Sequence, residues 1–285
     1  MGKREGILIK IDSFLCKTKN LMIDLNDFFH PSVKRKLKEN IKLIDNQNDI
    51  CFVIGNGPSL KKVDLSLIKD YPSITVNGFY LADTGYKSKY HLLIDPDYKN
   101  EKWWSHLYSL KEKNSNAICI VNKKISTVVR DIIGDNFKTF EILVDHCQSG
   151  EKIENDLTRQ ITGSINVVPV AIECAMYMGY KRICLLGCDF SLYTQVKGLH
   201  YYENEEEFVE DGNKNNILEN NVGNLIRCAL VHKQHYCIEK LAKRNGVHIF
   251  NATEGSLIDA YDFINLTDFL TLIKKDISTN EKEKH

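Results

Sequence analysis

Nothing in this chain approaches the roughly 18 consecutive apolar residues that a membrane-crossing helix requires, and the N-terminus has no signal-peptide core. Both absences point away from a spanning or secreted protein and towards the cytoplasm. The nine cysteines include no C-x-x-C pair and follow no even spacing, which removes the usual signs of a metal knuckle or a disulfide framework. Cys51, Cys119 and Cys184 lie in apolar runs and read as buried, reduced thiols. Neither sign of charge is in excess, because 38 Lys and Arg meet 38 Asp and Glu, so bulk electrostatics argue against general nucleic-acid binding. The Gly-Lys-Ser/Thr ending of a P-loop is missing, as is the third glycine of a dinucleotide fingerprint. Met1-Gly2 is no myristoylation signal, since Gly6 stands where Ser or Thr is needed. No internal repeat or low-complexity segment is present.

A chain of 285 residues with 43% hydrophobic and 27% charged residues can bury a full core, and one main α/β domain with appendages is the expectation. Residues 50–60, Ile-Cys-Phe-Val-Ile-Gly-Asn-Gly-Pro-Ser-Leu, organise it. An apolar run of strand formers enters a glycine-bracketed turn, and residues 63–69 resume at helical spacing. Gly55 and Gly57 let backbone approach a ligand, Pro58 suits a first helical turn, and Ser59 can donate or cap. Such a loop suits a phosphate or a nucleotide, and it equally suits a tight β-to-α turn with no ligand.

Further strands are expected at 73–76, 90–94, 117–121, 140–144, 182–186 and 247–250, with helices at 101–112 and 225–244. The strands deliver Asn77-Gly78-Phe79-Tyr80, Asp95-Pro96-Asp97-Tyr98 and Gly187-Cys188-Asp189-Phe190 at their carboxyl ends. In an open parallel sheet, ligands bind there, so these loops should converge with 55–59 on one crevice. Asp95 and Asp97 suit either a divalent metal or a turn. Thr162-Gly163-Ser164 reads as the N-terminus of an apolar helix reaching Met178, kinked at Pro169. His232 and His235, three apart on a helix, lack a third metal ligand and read as surface residues. Residues 191–222 are polar, with tyrosines and a histidine, and read as a lid that is poorly ordered without ligand. Residues 1–49 form a basic helical appendage that either packs on the domain or lies on an anionic membrane surface, and 276–285 are a frayed tail.

The set Ile54-Gly55-Asn56-Gly57-Pro58-Ser59-Leu60, Asn77-Gly78-Phe79-Tyr80, Ile161-Thr162-Gly163-Ser164 and Leu186-Gly187-Cys188-Asp189-Phe190 resembles bacterial sialyltransferases that use CMP-sialic acid. Asn251-Ala252-Thr253-Glu254-Gly255 is more similar to their relatives, the motility accessory factors linked to sialic-acid-like sugars on flagellin, and to pterin pyrophosphokinase-like proteins. The resemblance covers residues 50–260. It implies a single Rossmann-like glycosyltransferase domain over 50–275, mostly parallel, flanked by helices and carrying the lid, with no cofactor and no metal. Asn56 and Asn77 inherit contacts to donor phosphate and ribose, and Asp95 stands where that family has Asn. Thr162 and Ser164 fall near the donor sugar, with Arg159 just upstream. Tyr193, Tyr201 and Tyr202 are the candidates for binding the leaving phosphate. The family's catalytic His has no aligned counterpart, so His200, then His232, then Asp189 are the candidate bases. Backbone N–H groups at Gly57 and Gly163 are expected to serve the leaving group.

The function so implied is transfer of a nonulosonate from a CMP donor to a surface glycan or lipid-linked saccharide, with a nucleotide-sugar donor and a glycan acceptor as partners and with peripheral contact at the inner membrane. Two alternatives stand beside it. One is an ATP- and Mg²⁺-dependent pterin pyrophosphokinase using Asp95, Asp97 and Asp189. The other is a non-catalytic nucleotide-binding scaffold in cell-envelope glycan assembly.

Overall fold

The computed structural model describes residues 3–148, 150–190, 201 and 221–282. Among these described residues nine strands form one sheet: β1 (Ile50–Ile54), β2 (Ser73–Val76), β3 (Tyr90–Leu93), β4 (Ile118–Asn122), β5 (Thr139–His146), β6 (Gln160–Thr162), β7 (Arg182–Leu186), β8 (His248–Asn251) and β9 (Asp262–Phe263). Their order is β6-β5-β4-β3-β2-β1-β7-β8-β9, and every adjacent pair is parallel. The expected Rossmann-like α/β architecture is therefore present, with a sheet parallel throughout.

Burial on both faces explains why the strands read as continuous apolar runs. All five residues of β1 are buried. Cys51 and Val53 join one core with α5 (Val167–Tyr177) and α6 (Asn221–Arg244). Ile50, Phe52 and Ile54 face the other core, built with α3 (Trp104–Lys113), α4 (Ser126–Ile133) and α7 (Leu266–Lys282). In the N-terminal region, α1 (Lys3–Phe28) and α2 (Pro31–Lys38) both pack on β5.

Local chemistry overrides the helical reading at three places. Residues 63–69 are not an α-helix: two 3₁₀ turns, Pro58–Lys62 and Leu65–Ile68, flank an extended Val63. Asp64 accepts the Ser66 N–H at 3.0 Å and restarts the chain as a cap, which breaks any continuous helix. Thr162 does not open a helix but ends β6, and α5 begins only at Val167, capped by Asn166 accepting the Val168 N–H at 2.8 Å. Pro169 consequently sits in the first turn of α5, where no intrahelical N–H bond is lost, and it does not interrupt the helix.

Glu173 on α5 is fully buried. Its Oε1 accepts from Gln234 Nε2 at 3.1 Å, and burial pushes its carboxyl well above the usual carboxylate range. The folded protein thus holds a proton that the unfolded chain releases above its ordinary value of 4.5. The associated stability is full below that value and is lost as pH rises towards the folded-state value. Glu173→Gln, which is always neutral, should therefore melt higher than the parent at pH 8 and much like it at pH 4; equal melting curves at both pH values would contradict this.

Candidate functional site

The sheet order reverses direction between β1 and β7, and the loops that leave these strands lie against each other. Gly55 N–H donates to the Leu186 carbonyl at 2.8 Å and Gly57 N–H to the Gly187 carbonyl at 2.7 Å. Asp189 then grips the turn: its Oδ1 accepts from Ser59 N–H at 3.0 Å and its Oδ2 from the Ser59 hydroxyl at 2.7 Å. Pro58 opens the short turn behind this grip.

The two loop glycines are required for space. A β-carbon on Gly55 would stand 2.4 Å from the Gly187 carbonyl oxygen, and one on Gly57 would stand 1.9 Å from Asp189 Oδ2. Gly187 itself has φ +62, a backbone conformation that favours glycine. The motif Asn251-Ala252-Thr253-Glu254-Gly255 braces the same loop from β8. Cys188 N–H donates to Thr253 Oγ1 at 3.0 Å, the Ser256 hydroxyl to the Cys188 carbonyl at 2.7 Å, and Leu257 N–H to the Asp189 carbonyl at 3.0 Å. Asn251 holds the motif together through Ser256 Oγ and the Ile258 carbonyl. Cys188 is buried, and burial pushes its thiol up to about 12, which leaves it a packing residue.

Beside this clamp lie the ends of β1 and β2. Asn56 Nδ2 donates to the Val76 carbonyl at 3.0 Å, which fixes the amide and directs Oδ1 elsewhere. Asn77 follows β2 with φ +43 and starts the turn that buries Gly78, Phe79 and Tyr80. Asn56 Oδ1 and Asn77 Oδ1 are both buried, and neither accepts a hydrogen bond from any described residue. Tyr201 docks on this corner, its N–H donating to the Asn56 carbonyl at 2.9 Å. Its hydroxyl donates to the Phe79 carbonyl and its ring lies 5.6 Å from that of Phe79.

Several expected ligand contacts are instead occupied by the protein. The Gly57 N–H is taken by Gly187, and the Gly163 N–H by the His146 carbonyl at 2.9 Å, so neither serves a leaving group. Thr162 is buried at the end of β6, with Oγ1 accepting from Glu154 N–H at 2.8 Å. Arg159, exposed just before β6 at the far edge of the sheet, pairs with Asp156 at 3.1 Å. Ser164 Oγ accepts from Asn166 N–H at 3.2 Å, beside the N-terminus of the helix that packs on β1 and β2. Asp95 accepts the Asp97 N–H at 3.0 Å and so forms a capped turn. With both oxygens on Ser59, Asp189 is the clamp of the glycine loop, and the proposed role as a base does not suit it.

His200, Tyr193 and Tyr202, and nearly all of the expected lid, lie outside the described residues. His232 is described, and its ring stands 5.0 Å from that of Phe190, the residue after the clamp. Phe190 takes φ +54, and His232 Nδ1 is 3.9 Å from the Asp259 carboxylate. His235 is no surface residue: it is fully buried, bonded to the Tyr261 hydroxyl at 2.8 Å, with burial lowering its pKa to about 3. Sequence reasoning missed Asp259, Tyr261 and Gln234. Glu173 alone had a signal, as a carboxylate inside an apolar helix.

Among solved structures, the chain is similar to the monofunctional α-2,3-sialyltransferase Cst-I of Campylobacter jejuni, with 14% identity, 84% of this chain and 97% of that chain covered, and a TM-score of 0.49. It is also similar to the sialyltransferase CstII of Campylobacter jejuni bound to cytidine-5'-monophosphate, with 17% identity, 76% and 84% covered, and a TM-score of 0.45. No curated protein matches the sequence. A family model matches residues 19–195, more than half of the chain and all of the sheet from β1 to β7. The chain accordingly belongs to the 6-hydroxymethylpterin diphosphokinase MptE-like family.

Proposed function

We propose that this protein is a glycosyltransferase that moves a sialic-acid-like sugar from a CMP-activated donor to a hydroxyl of a surface glycan or lipid-linked saccharide. The observation that carries the reading is the pair of buried amide oxygens, Asn56 Oδ1 and Asn77 Oδ1, to which no described residue donates, at adjacent strand ends. A buried acceptor without a donor costs about 1–3 kcal/mol, so its persistence at the carboxyl end of a parallel sheet suits a ligand that donates. Ribose hydroxyls and the exocyclic amine of cytosine are such donors. Phosphate oxygens are not, so in this reading the two asparagines hold the nucleoside and the phosphate contact once expected of Asn56 passes to other groups. The family resemblance of the glycine loop and of Asn77-Gly78-Phe79-Tyr80 adds to this. Transfer then requires a base for the acceptor proton and neutralisation of the departing phosphate.

The family name favours a second reading, diphosphate transfer from ATP. The side chains fit it poorly. Asp189 is committed to Ser59 and Asp95 to the turn at Asp97, and among the described residues no three His, Cys, Asp or Glu side chains gather as a metal site.

A thermal-shift series separates the two. CMP should raise the melting temperature in EDTA, as a ligand of the native state does, and Asn56→Ala or Asn77→Ala should abolish the shift. Stabilisation by ATP only, and only with Mg²⁺, would assign the site to the diphosphokinase reading.

A further inference from the structure

We infer that α1 and α2 form a surface that docks on an anionic lipid membrane, lying on it without crossing it. Helix α1 is fastened to the carboxyl end of β5 through one side. Asn20 Nδ2 donates to the Cys147 carbonyl at 2.9 Å, Cys147 N–H donates to Asn20 Oδ1 at 2.9 Å, and Asp24 pairs with His146 at 3.1 Å. Phe14, Leu15, Leu21 and Leu25 lie on the opposite side, Met22 lies at its edge over the cleft that Leu143 and Asp145 line, and each of the five exposes between 51% and 67% of its surface. At 3.6 residues per turn these five occupy an arc of about 120°. Five large apolar side chains on one exposed face exceed the scattered singles of an ordinary soluble surface.

Charge selects the occupant. Residues 14–38 carry six Lys or Arg against two Asp, in a chain whose formal net charge is +0. Lys17 borders the apolar arc on one side, Lys19 on its other side donates to Cys147 Sγ at 3.2 Å and adds to the fastening at β5, and Arg35 and Lys38 stand in the last turn of α2 with Lys36, which lies 3.7 Å from Glu141. An apolar face edged by cations complements an anionic headgroup layer, into which such helices sink while their lysines reach the lipid phosphates. A second copy of the chain would bring like charges together along the same edges. No helix among the described residues is long and apolar enough to cross a membrane. Because α1 is pinned at β5, docking would hold the carboxyl edge of the sheet, where Asn56 and Asn77 lie, close to the lipid.

The test is sedimentation of the full chain with vesicles of phosphatidylglycerol and phosphatidylcholine, compared with phosphatidylcholine alone. Binding should require the anionic lipid and weaken with salt. Replacing Arg35 and Lys38 by glutamine should weaken it by about fivefold per charge. Leu21→Gln with Leu25→Gln should weaken it by about tenfold or more, since each removes an inserted apolar side chain. These side chains are exposed, so both variants should melt like the parent. No binding to anionic vesicles, or unchanged binding in both variants, overturns the inference. So does a dimer in sedimentation equilibrium that Leu21→Gln with Leu25→Gln dissociates while vesicles bind nothing, which would give the face to a second copy. None of these measurements depends on turnover or on CMP.

Discussion

Gly57→Ala should unfold the candidate site and cost the protein about 3–5 kcal/mol, the scale of a broken buried polar network. The backbone at Gly57 has φ −69 and ψ 156, which alanine adopts without strain. The penalty comes from space alone, since the new methyl group would lie 1.9 Å from Asp189 Oδ2 and 2.8 Å from the Gly187 carbonyl oxygen. Either the Asp189 grip on Ser59 or the Gly57 bond to Gly187 must then break. For a chain of this size the melting temperature should fall by about 10 °C, and the CMP shift should disappear because Asn56 is the preceding residue. Asp189→Asn keeps the shape of the clamp while giving up its charge, so it should cost less, about 1–2 kcal/mol. If Gly57→Ala melts like the parent, the clamp does not organise the loop.

The second large effect concerns turnover. His232→Ala should lower the rate of sugar transfer by about 10²-fold to 10⁴-fold while leaving the CMP shift intact, as expected for a base that acts in the transition state. The assignment follows from position. Of the candidates in the described residues, Asp189 is spent on Ser59, whereas His232 stands beside Phe190 at the end of β7 with Asp259 behind Nδ1. At 3.9 Å the Asp259 carboxylate lies beyond hydrogen-bond reach of the ring and orients it by electrostatics alone. Asp259→Asn should accordingly reduce turnover less than His232→Ala, because Asp259 positions and does not react. Full activity in His232→Ala together with its loss in His200→Ala would pass the role to His200.

Residues 50–60 show how far the linear order of residues reaches. The apolar run, the glycines and the proline were enough to place a buried strand and a ligand-sized turn, because strand burial and glycine steric freedom are local properties. The repeated delivery of small and polar residues at strand ends was likewise enough for a parallel α/β sheet with its site at the carboxyl edge. Local pattern misled where a side chain interrupts it: Asp64 caps a new turn inside a helical spacing, and Asn166 rather than Ser164 starts α5. Pairing across the sheet was not legible at all. Asp189 stood as the third candidate base, a nucleotide contact and, in the diphosphokinase alternative, a metal ligand, and its place as the clamp of the glycine loop emerged only from Ser59, 130 residues away, which holds both its oxygens. Asn251 to Gly255 was a family marker without a physical role until β8 set it under Cys188. Composition and periodicity thus determined the layers, seven of the nine described strands and the edge on which to look, whereas the short edge strands β6 and β9 carry too few residues for a pattern. Which polar groups are spent on one another, and that Asn56 Oδ1 and Asn77 Oδ1 accept from no described residue, depended on contacts between distant segments, because a hydrogen bond is decided by the partner that tertiary packing brings within about 3 Å.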